Sequence, residues 1–187
     1  MTTPALDGDP VGAATDVGSG LDNHLLGSGG TRPILTPTGL RYGDGGLSDV
    51  LTSVASAASD FAIYVRCTAQ TGGSGILFAE SPQVLASPFA NIYALQTFFS
   101  VNASFAPLVA DPGGEQVRGM TLNGSTLRGF LGLSTGTASV TPAGFGAISL
   151  GCLNPDAYVG TAFAIGVYNE GHNLAQIARV SSFLLGL

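Results

Sequence analysis

The segment that most restricts the fold runs from Gly151 to Val180. Asn154-Pro155-Asp156 is a turn former, and Val159 to Tyr168 follows as a run of small and apolar residues suited to a buried strand. Asn169 to His172 makes a second turn. Asn173 then has the side chain of a helix N-cap, and Gln176, three residues on, can reach back to its backbone, the arrangement of a capping box. Leu174, Ile177, Ala178, Ser181 and Leu185 predict the buried stripe of that terminal helix.

Upstream, short strands recur between turns. Phe61-Ala62-Ile63-Tyr64-Val65-Arg66-Cys67 alternates most clearly, with Phe61, Ile63, Val65 and Cys67 on one face and Ala62, Tyr64 and Arg66 on the other. Thr71 to Gly75 is a glycine-rich turn, so Ile76 to Ala79 is expected to pair with 61–67 as an antiparallel hairpin with a long loop. A single strand is expected from Asn91 to Val101. Asp111-Pro112-Gly113-Gly114 is a turn. Gln116 to Leu122 and Ser125 to Leu133 read as a hairpin joined by Asn123-Gly124, a dipeptide that fits the positive-φ positions of a type I′ turn. Further strands are expected at Gly39 to Tyr42, Gly146 to Gly151 and Val159 to Tyr168. Leu47, Val50, Leu51 and Val54 recur at helical spacing, so a short helix capped by Ser48 is expected there.

The 187 residues suffice for one domain with a sizeable core. Residues 1–30 are rich in Gly, Asp, Ser and Thr, without sustained periodicity, and read as an extended N-terminal arm. The apolar pair Leu25-Leu26 gives that arm a place to pack on the domain, residues 31–187. The pattern as a whole predicts an all-β sandwich of two antiparallel sheets with a short C-terminal helix.

Charged residues are 10% of the chain, against about 25% in ordinary globular domains. The positive charge comes from six Arg with no Lys, and the net charge is −6. Nucleic-acid binding needs a basic stripe to neutralise phosphates, and this balance excludes it. Apolar residues reach 45% but come in pieces too short to span a bilayer, so no membrane insertion is expected. A surface this poor in charge implies that neighbours cover part of it, and copies of the same chain are one expected partner. Met1 to Asp7 has neither the basic region nor the apolar core of a signal peptide, which suggests synthesis in a cytoplasm. Cys67 and Cys152 both fall on inward phases of predicted strands and are expected as buried free thiols, with a disulfide as the alternative if the two strands are neighbours.

These residues resemble the concanavalin A-like lectin/glucanase superfamily in its laminin-G-like branch. The resemblance rests on the apolar strand Phe61 to Cys67, the turn Asn123-Gly124, the step Leu150-Gly151, Tyr158-Val159-Gly160, and the closing cadence from Ile165 to Ala178. It implies a jelly-roll sandwich. The lead-in Asn23-His24-Leu25, Arg32-Pro33 and Gly39-Leu40-Arg41-Tyr42 is similar to that of laminin-G-like structural proteins of tailed bacteriophages. That similarity implies a virion protein: a capsid decoration or part of a spike, fibre or tail appendage, with other virion proteins as partners. A carbohydrate-binding adhesion module that contacts host surface glycans is the alternative.

The chemistry expected of enzymes in the superfamily is not encoded. Their glucanases need two carboxylates about 5 Å apart in one cleft. Glu80, Glu115 and Glu170 are isolated in sequence, and no Glu-x-Asp-x-x-Glu cluster exists. No Gly-x-Ser-x-Gly elbow is present, and His24 and His172 have no visible triad partners. A lone loop histidine such as His172 is expected to be solvated. A non-enzyme without cofactors is therefore expected. The resemblance brings calcium into consideration, with Asp111, Asn154 and Asp156 as candidate oxygen ligands, although each also serves as a turn former. Tyr64, Arg66, Tyr93 and Tyr158 are the binding candidates. Tyr64 and Arg66 share the face opposite the core and suit a subunit contact, since Tyr and Arg are enriched at interfaces.

Overall fold

The computed structural model describes residues 13–14, 25–27, 33–42, 51–52, 59–68, 74–80, 89–93, 96–101, 104–107, 113–144, 146–150 and 158–186. They form two antiparallel sheets and, among the described residues, a single helix. The seven-stranded sheet runs, in spatial order, β13 (Ser134–Ser139), β12 (Thr126–Leu131), β11 (Gln116–Asn123), β6 (Phe61–Cys67), β15 (Gly160–Tyr168), β4 (Gly39–Tyr42) and β3 (Ile34–Thr36). The eight-stranded sheet runs β1 (Ala13–Ala14), β2 (Leu25–Gly27), β5 (Leu51–Thr52), β14 (Ile148–Leu150), β7 (Ser74–Glu80), β8 (Phe89–Tyr93), β9 (Gln96–Val101) and β10 (Ser104–Pro107). Spatial neighbours far apart in sequence, such as β11, β6 and β15, make this a jelly-roll sandwich. The helix α1 (Leu174–Leu185) closes the chain.

The interior lies between the sheets. Phe61, Ile63, Val65 and Cys67 of β6 join Met120 and Leu122 of β11 and Leu127 and Leu131 of β12 there. Leu77, Phe78, Phe99, Val101, Ile148 and Leu150 meet them from the eight-stranded sheet. Each large side chain fully withdrawn from water contributes about 1.5–3 kcal/mol, so this cluster is the main source of stability. Cys67 is fully buried in this interior, and Cys152 lies outside the described residues.

A second, smaller core sits on the outer face of the seven-stranded sheet. Ala62 and Tyr64 of β6, Val117 of β11 and Phe130 of β12 pack against Ile177 and Leu184 of α1. Strand β6 is thus covered on both sides, by the facing sheet and by the helix. Gly119 of β11 makes this layer fit. A Cβ there would lie 2.4 Å from the Phe130 ring, so the glycine leaves the space that the ring fills.

The helix begins as the sequence predicts. The Asn173 side chain accepts from the N–H groups of Ala175 and Gln176, and the Asn173 N–H donates to Gln176 Oε1 at 2.9 Å. The buried stripe differs from the expected one. Ile177, Ser181 and Leu184 face the sheet, while Leu174, Ala178 and Leu185 are exposed. The helix is rotated so that Ile177 and Leu184 meet Tyr64 and Phe130, a choice made by the sheet surface and invisible in the helix alone.

Several other expectations are corrected. Strands β6 and β7 do not form a hairpin, because they belong to different sheets. Their apolar faces meet across the interior, which buries both. The span Asn91 to Val101 is two strands, β8 and β9, paired through Tyr93 opposite Gln96. Between these strands the sequence has Ala94 and Leu95 and no Gly, Pro, Asn or Asp, so the apolar pattern reads as continuous. Leu51–Thr52 is strand β5 and not part of a helix, and the remainder of 47–54 lies outside the described residues. The β11–β12 turn is Gly124-Ser125, one residue later than expected, with Gly124 at φ +55° and Asn123 still paired to Thr126. Strand β2, within residues 1–30, pairs with β5 and with β1 in the eight-stranded sheet.

Candidate functional site

The outer face of β11 and β12 is polar where the helix ends its cover. Alternation places Thr121 and Asn123 of β11 on this face, and the register sets Thr121 opposite Arg128 and Asn123 opposite Thr126. The turn before α1 runs over the same area. The result is an open groove of about 630 Å³, walled by these four side chains on the sheet side and by His172, Asn173 and the first turn of α1 on the other. Its volume is in the range of small-molecule sites.

One wall is held by a hydrogen-bonded chain. The buried Thr121 hydroxyl donates to the Phe61 carbonyl at 3.0 Å and accepts from the His172 N–H at 2.7 Å. The His172 ring is buried, and its Nδ1 lies 2.6 Å from the Tyr64 hydroxyl. With that hydroxyl donating to Nδ1, the ring proton sits on Nε2, which faces Glu170 Oε1 at 3.5 Å. Glu170, His172 and Tyr64 thus form a line. Burial pushes the Tyr64 hydroxyl well above its usual range, with the charge of Tyr168 adding to the effect. A hydroxyl so reluctant to ionise is a poor nucleophile, so the line fixes the start of the helix.

His172 is therefore not the solvated loop residue expected from sequence, because the fold lays its turn across β6 and β11. The other predicted residues are scattered. Tyr64 is fully buried beneath α1, between Phe130 at 4.8 Å and Tyr168 at 5.8 Å between ring centroids. The subunit contact expected for its face is supplied by the chain's own helix. Arg66, on the same face, donates to Glu115 at 2.6 Å and to the Leu184 carbonyl at 3.2 Å, and its guanidinium lies 5.0 Å from the Phe163 ring centre. It anchors the C-terminal end of the helix, whose last turn has no basic residue of its own. Tyr158 is buried in the interior and donates to the Thr68 carbonyl at 2.9 Å. Burial raises its hydroxyl as well, ahead of the effect of Cys67. Neither Tyr64 nor Tyr158 presents a surface to a ligand arriving from solution.

Tyr93 lies in β8, opposite Gln96 of β9 and Ser74 of β7, on the other sheet. The calcium candidates Asp111, Asn154 and Asp156 lie outside the described residues. Among the described residues, no group of three or more His, Cys, Asp or Glu is placed to hold a metal ion, and no helix is long and apolar enough to cross a membrane.

The groove residues Thr121, Asn123, Thr126 and Arg128 were not singled out from sequence. One signal for them is present there. They are the polar phase of two strands whose opposite phase, Met120, Leu122, Leu127 and Leu131, is apolar.

Comparisons with known proteins place the architecture. No protein-family model matches the chain, and none of the curated proteins does. Solved structures do. A structure of Trypanosoma rangeli sialidase in complex with sialic acid is similar with a TM-score of 0.62 at 13% identity, over 89% of this chain and 30% of that one. The botulinum neurotoxin serotype D binding domain gives a TM-score of 0.64 at 9% identity, over 89% of this chain and 48% of that one. The ligand binding domain of the same serotype in complex with N-acetylneuraminic acid gives 0.52 at 8% identity, over 72% of this chain and 40% of that one. The likeness is one of fold, a sandwich of two antiparallel sheets. The chain spans less than half the length of each of these proteins.

Proposed function

We propose that this chain is a non-catalytic carbohydrate-binding module and that its sugar lies in the groove between the outer face of β11–β12 and the start of α1. The observation that carries the reading is the groove itself. Asn123, Thr126 and Asn173 offer amide and hydroxyl groups along an open concave surface, and these match the alternating donors and acceptors of a sugar ring. The fold supports the same reading, since two of the similar structures hold sialic acid or N-acetylneuraminic acid. Among the described residues no carboxylate lines the groove, whereas most glycosidases act through a flanking pair of them, so the reading is one of binding without hydrolysis.

The test is a glycan array with the purified chain, followed by calorimetry on the ligands found, for wild type and Asn123→Ala/Thr126→Ala. Binding weakened by tenfold or more in the double variant, with the thermal midpoint unchanged, supports the assignment. Undiminished binding in that variant moves the site elsewhere, and the lack of any glycan ligand removes the proposal.

A second reading is favoured by the surface. Charged residues are 10% of the chain, and Leu133 and Phe183 are 91% and 64% exposed. We propose on that ground that the module works as a permanently assembled subunit, and its lead-in motif suggests a phage virion as the setting. Such a protein, as a decoration or tail appendage, would present the groove to host surface glycans. A chain that remains monomeric by light scattering at high concentration argues against the assembled state.

A further inference from the structure

Among the described residues Arg128 is the one arginine that lines the groove, and its surroundings set it apart from Arg66 and Arg118 on the neighbouring strands. Arg66 is paired with Glu115, and Arg118 donates to the Cys67 carbonyl at 2.8 Å. Arg128 is half-buried, and among the described residues its guanidinium has neither a hydrogen-bond nor an ion-pair partner. Its neighbours across the sheet are Thr121 on β11 and Thr137 on β13, with no acid on either side. The chain carries 12 acidic residues against six Arg, so carboxylates outnumber cations two to one. None of the described acids pairs with Arg128, and its guanidinium faces the open groove.

Partial burial without a partner is unfavourable, and an arriving anion would offset that cost. The planar fork of Arg matches a carboxylate through two parallel hydrogen bonds. The beginning of α1 forms the opposite side of the cavity, and its partial positive charge adds to the field there, although Asn173 already holds the N–H groups of Ala175 and Gln176. Two described carboxylates lie near the groove and both are engaged: Glu170 sits 3.5 Å from His172 Nε2, and Asp60 accepts from the Gly124 N–H at 2.9 Å.

We propose that the groove selects an acidic sugar, a uronic or nonulosonic acid unit, and that Arg128 binds its carboxylate while Asn123, Thr126 and Asn173 meet its hydroxyl and amide groups. This rests on the carbohydrate-binding reading given above and specifies the ligand class of the same site.

The experiment is calorimetry with matched pairs of glycans that differ only in the carboxyl group: a glucuronate-terminated oligosaccharide against its glucose counterpart, and a sialylated one against its carboxyl-reduced form. Sodium sulfate serves as the probe for a generic anion site. The proteins are wild type, Arg128→Gln and Arg128→Lys, each checked for an unchanged circular-dichroism melt. Wild type is expected to bind at least one acidic member about tenfold to a hundredfold more tightly than its neutral partner, the usual worth of a hydrogen bond to a charged group. Arg128→Gln is expected to bind both members with the weaker affinity, and Arg128→Lys to keep part of the preference. Equal binding of acidic and neutral members by wild type overturns the acidic-sugar assignment and leaves the carbohydrate-binding reading intact. Sulfate that competes at concentrations comparable to the acidic glycan reduces the groove to a simple anion site and also overturns it. Failure of every glycan to bind removes both.

Discussion

Removal of one oxygen atom, by Tyr64→Phe, tests the claim that the turn before α1 is locked to the sheet. The Tyr64 hydroxyl lies 2.6 Å from His172 Nδ1, and both residues are buried. A phenylalanine keeps the ring contacts with Phe130 and Tyr168 but leaves the buried imidazole nitrogen without a partner, which costs about 1–3 kcal/mol. That loss is expected at pH 8 as a lower urea midpoint with an unchanged slope. The pH dependence gives a second, independent reading. Burial raises the Tyr64 hydroxyl above its usual range, so the folded state keeps the proton where the unfolded chain loses it. The unfolded state then binds fewer protons, and stability falls as pH rises past about 10. At pH 11 an unfolded tyrosine with a pKa of about 10 is mostly ionised, and the loss relative to pH 8 is about 1.4 kcal/mol for each buried tyrosine. Tyr158, also raised by burial, behaves in the same way. The chain has no Lys, so no lysine side chain titrates over this interval. Tyr64→Phe is therefore expected to lose about 1.4 kcal/mol less than wild type between pH 8 and pH 11, with urea titrations followed by far-ultraviolet circular dichroism as the assay. If wild type and variant lose equal stability over that interval, Tyr64 is not held protonated beneath the helix, and the account of this layer is wrong.

Three further substitutions probe the same layer, each read by the urea midpoint. Gly119→Ala places a methyl group 2.1 Å from the Ile63 carbonyl oxygen and 2.4 Å from the Phe130 ring, and is expected to destabilise by about 3 kcal/mol or to prevent folding. A cost below about 0.5 kcal/mol contradicts that packing. Asn173→Ala removes the cap of α1 and is expected to cost about 1 kcal/mol, with Gln176→Ala costing less because it breaks only the reciprocal bond. Ser181→Ala should stabilise by about 1 kcal/mol, since the Ser181 hydroxyl is buried against the sheet without a hydrogen-bond partner among the described residues and alanine is the better helix former. A destabilised Ser181→Ala would mean that the hydroxyl has a partner.

The sequence by itself determined the strands whose information is local. The alternation of Phe61 to Cys67 made it a strand with two distinct faces, the capping pair Asn173 and Gln176 started the helix, and Gly124 allowed the tight turn between β11 and β12. Strands of small polar residues, such as Ser134–Ser139, have no apolar phase and left no comparable signal. What only the tertiary structure decided is which elements meet. Whether Ile76 to Ala79 pairs with β6 or faces it across the core depends on burying two apolar faces at once, a requirement that belongs to neither strand. Tyr64 reads as an exposed interface residue until α1, more than a hundred residues later, is laid over it. The groove follows the same rule. Thr121, Asn123, Thr126 and Arg128 are ordinary polar positions on two strands, and they become one wall of a cavity only because Thr121 and Tyr64 hold the His172 turn opposite them. Local backbone preference is written in neighbouring residues. A binding surface is made by side chains brought together from distant parts of the chain, and that encounter is fixed by the packing of the whole.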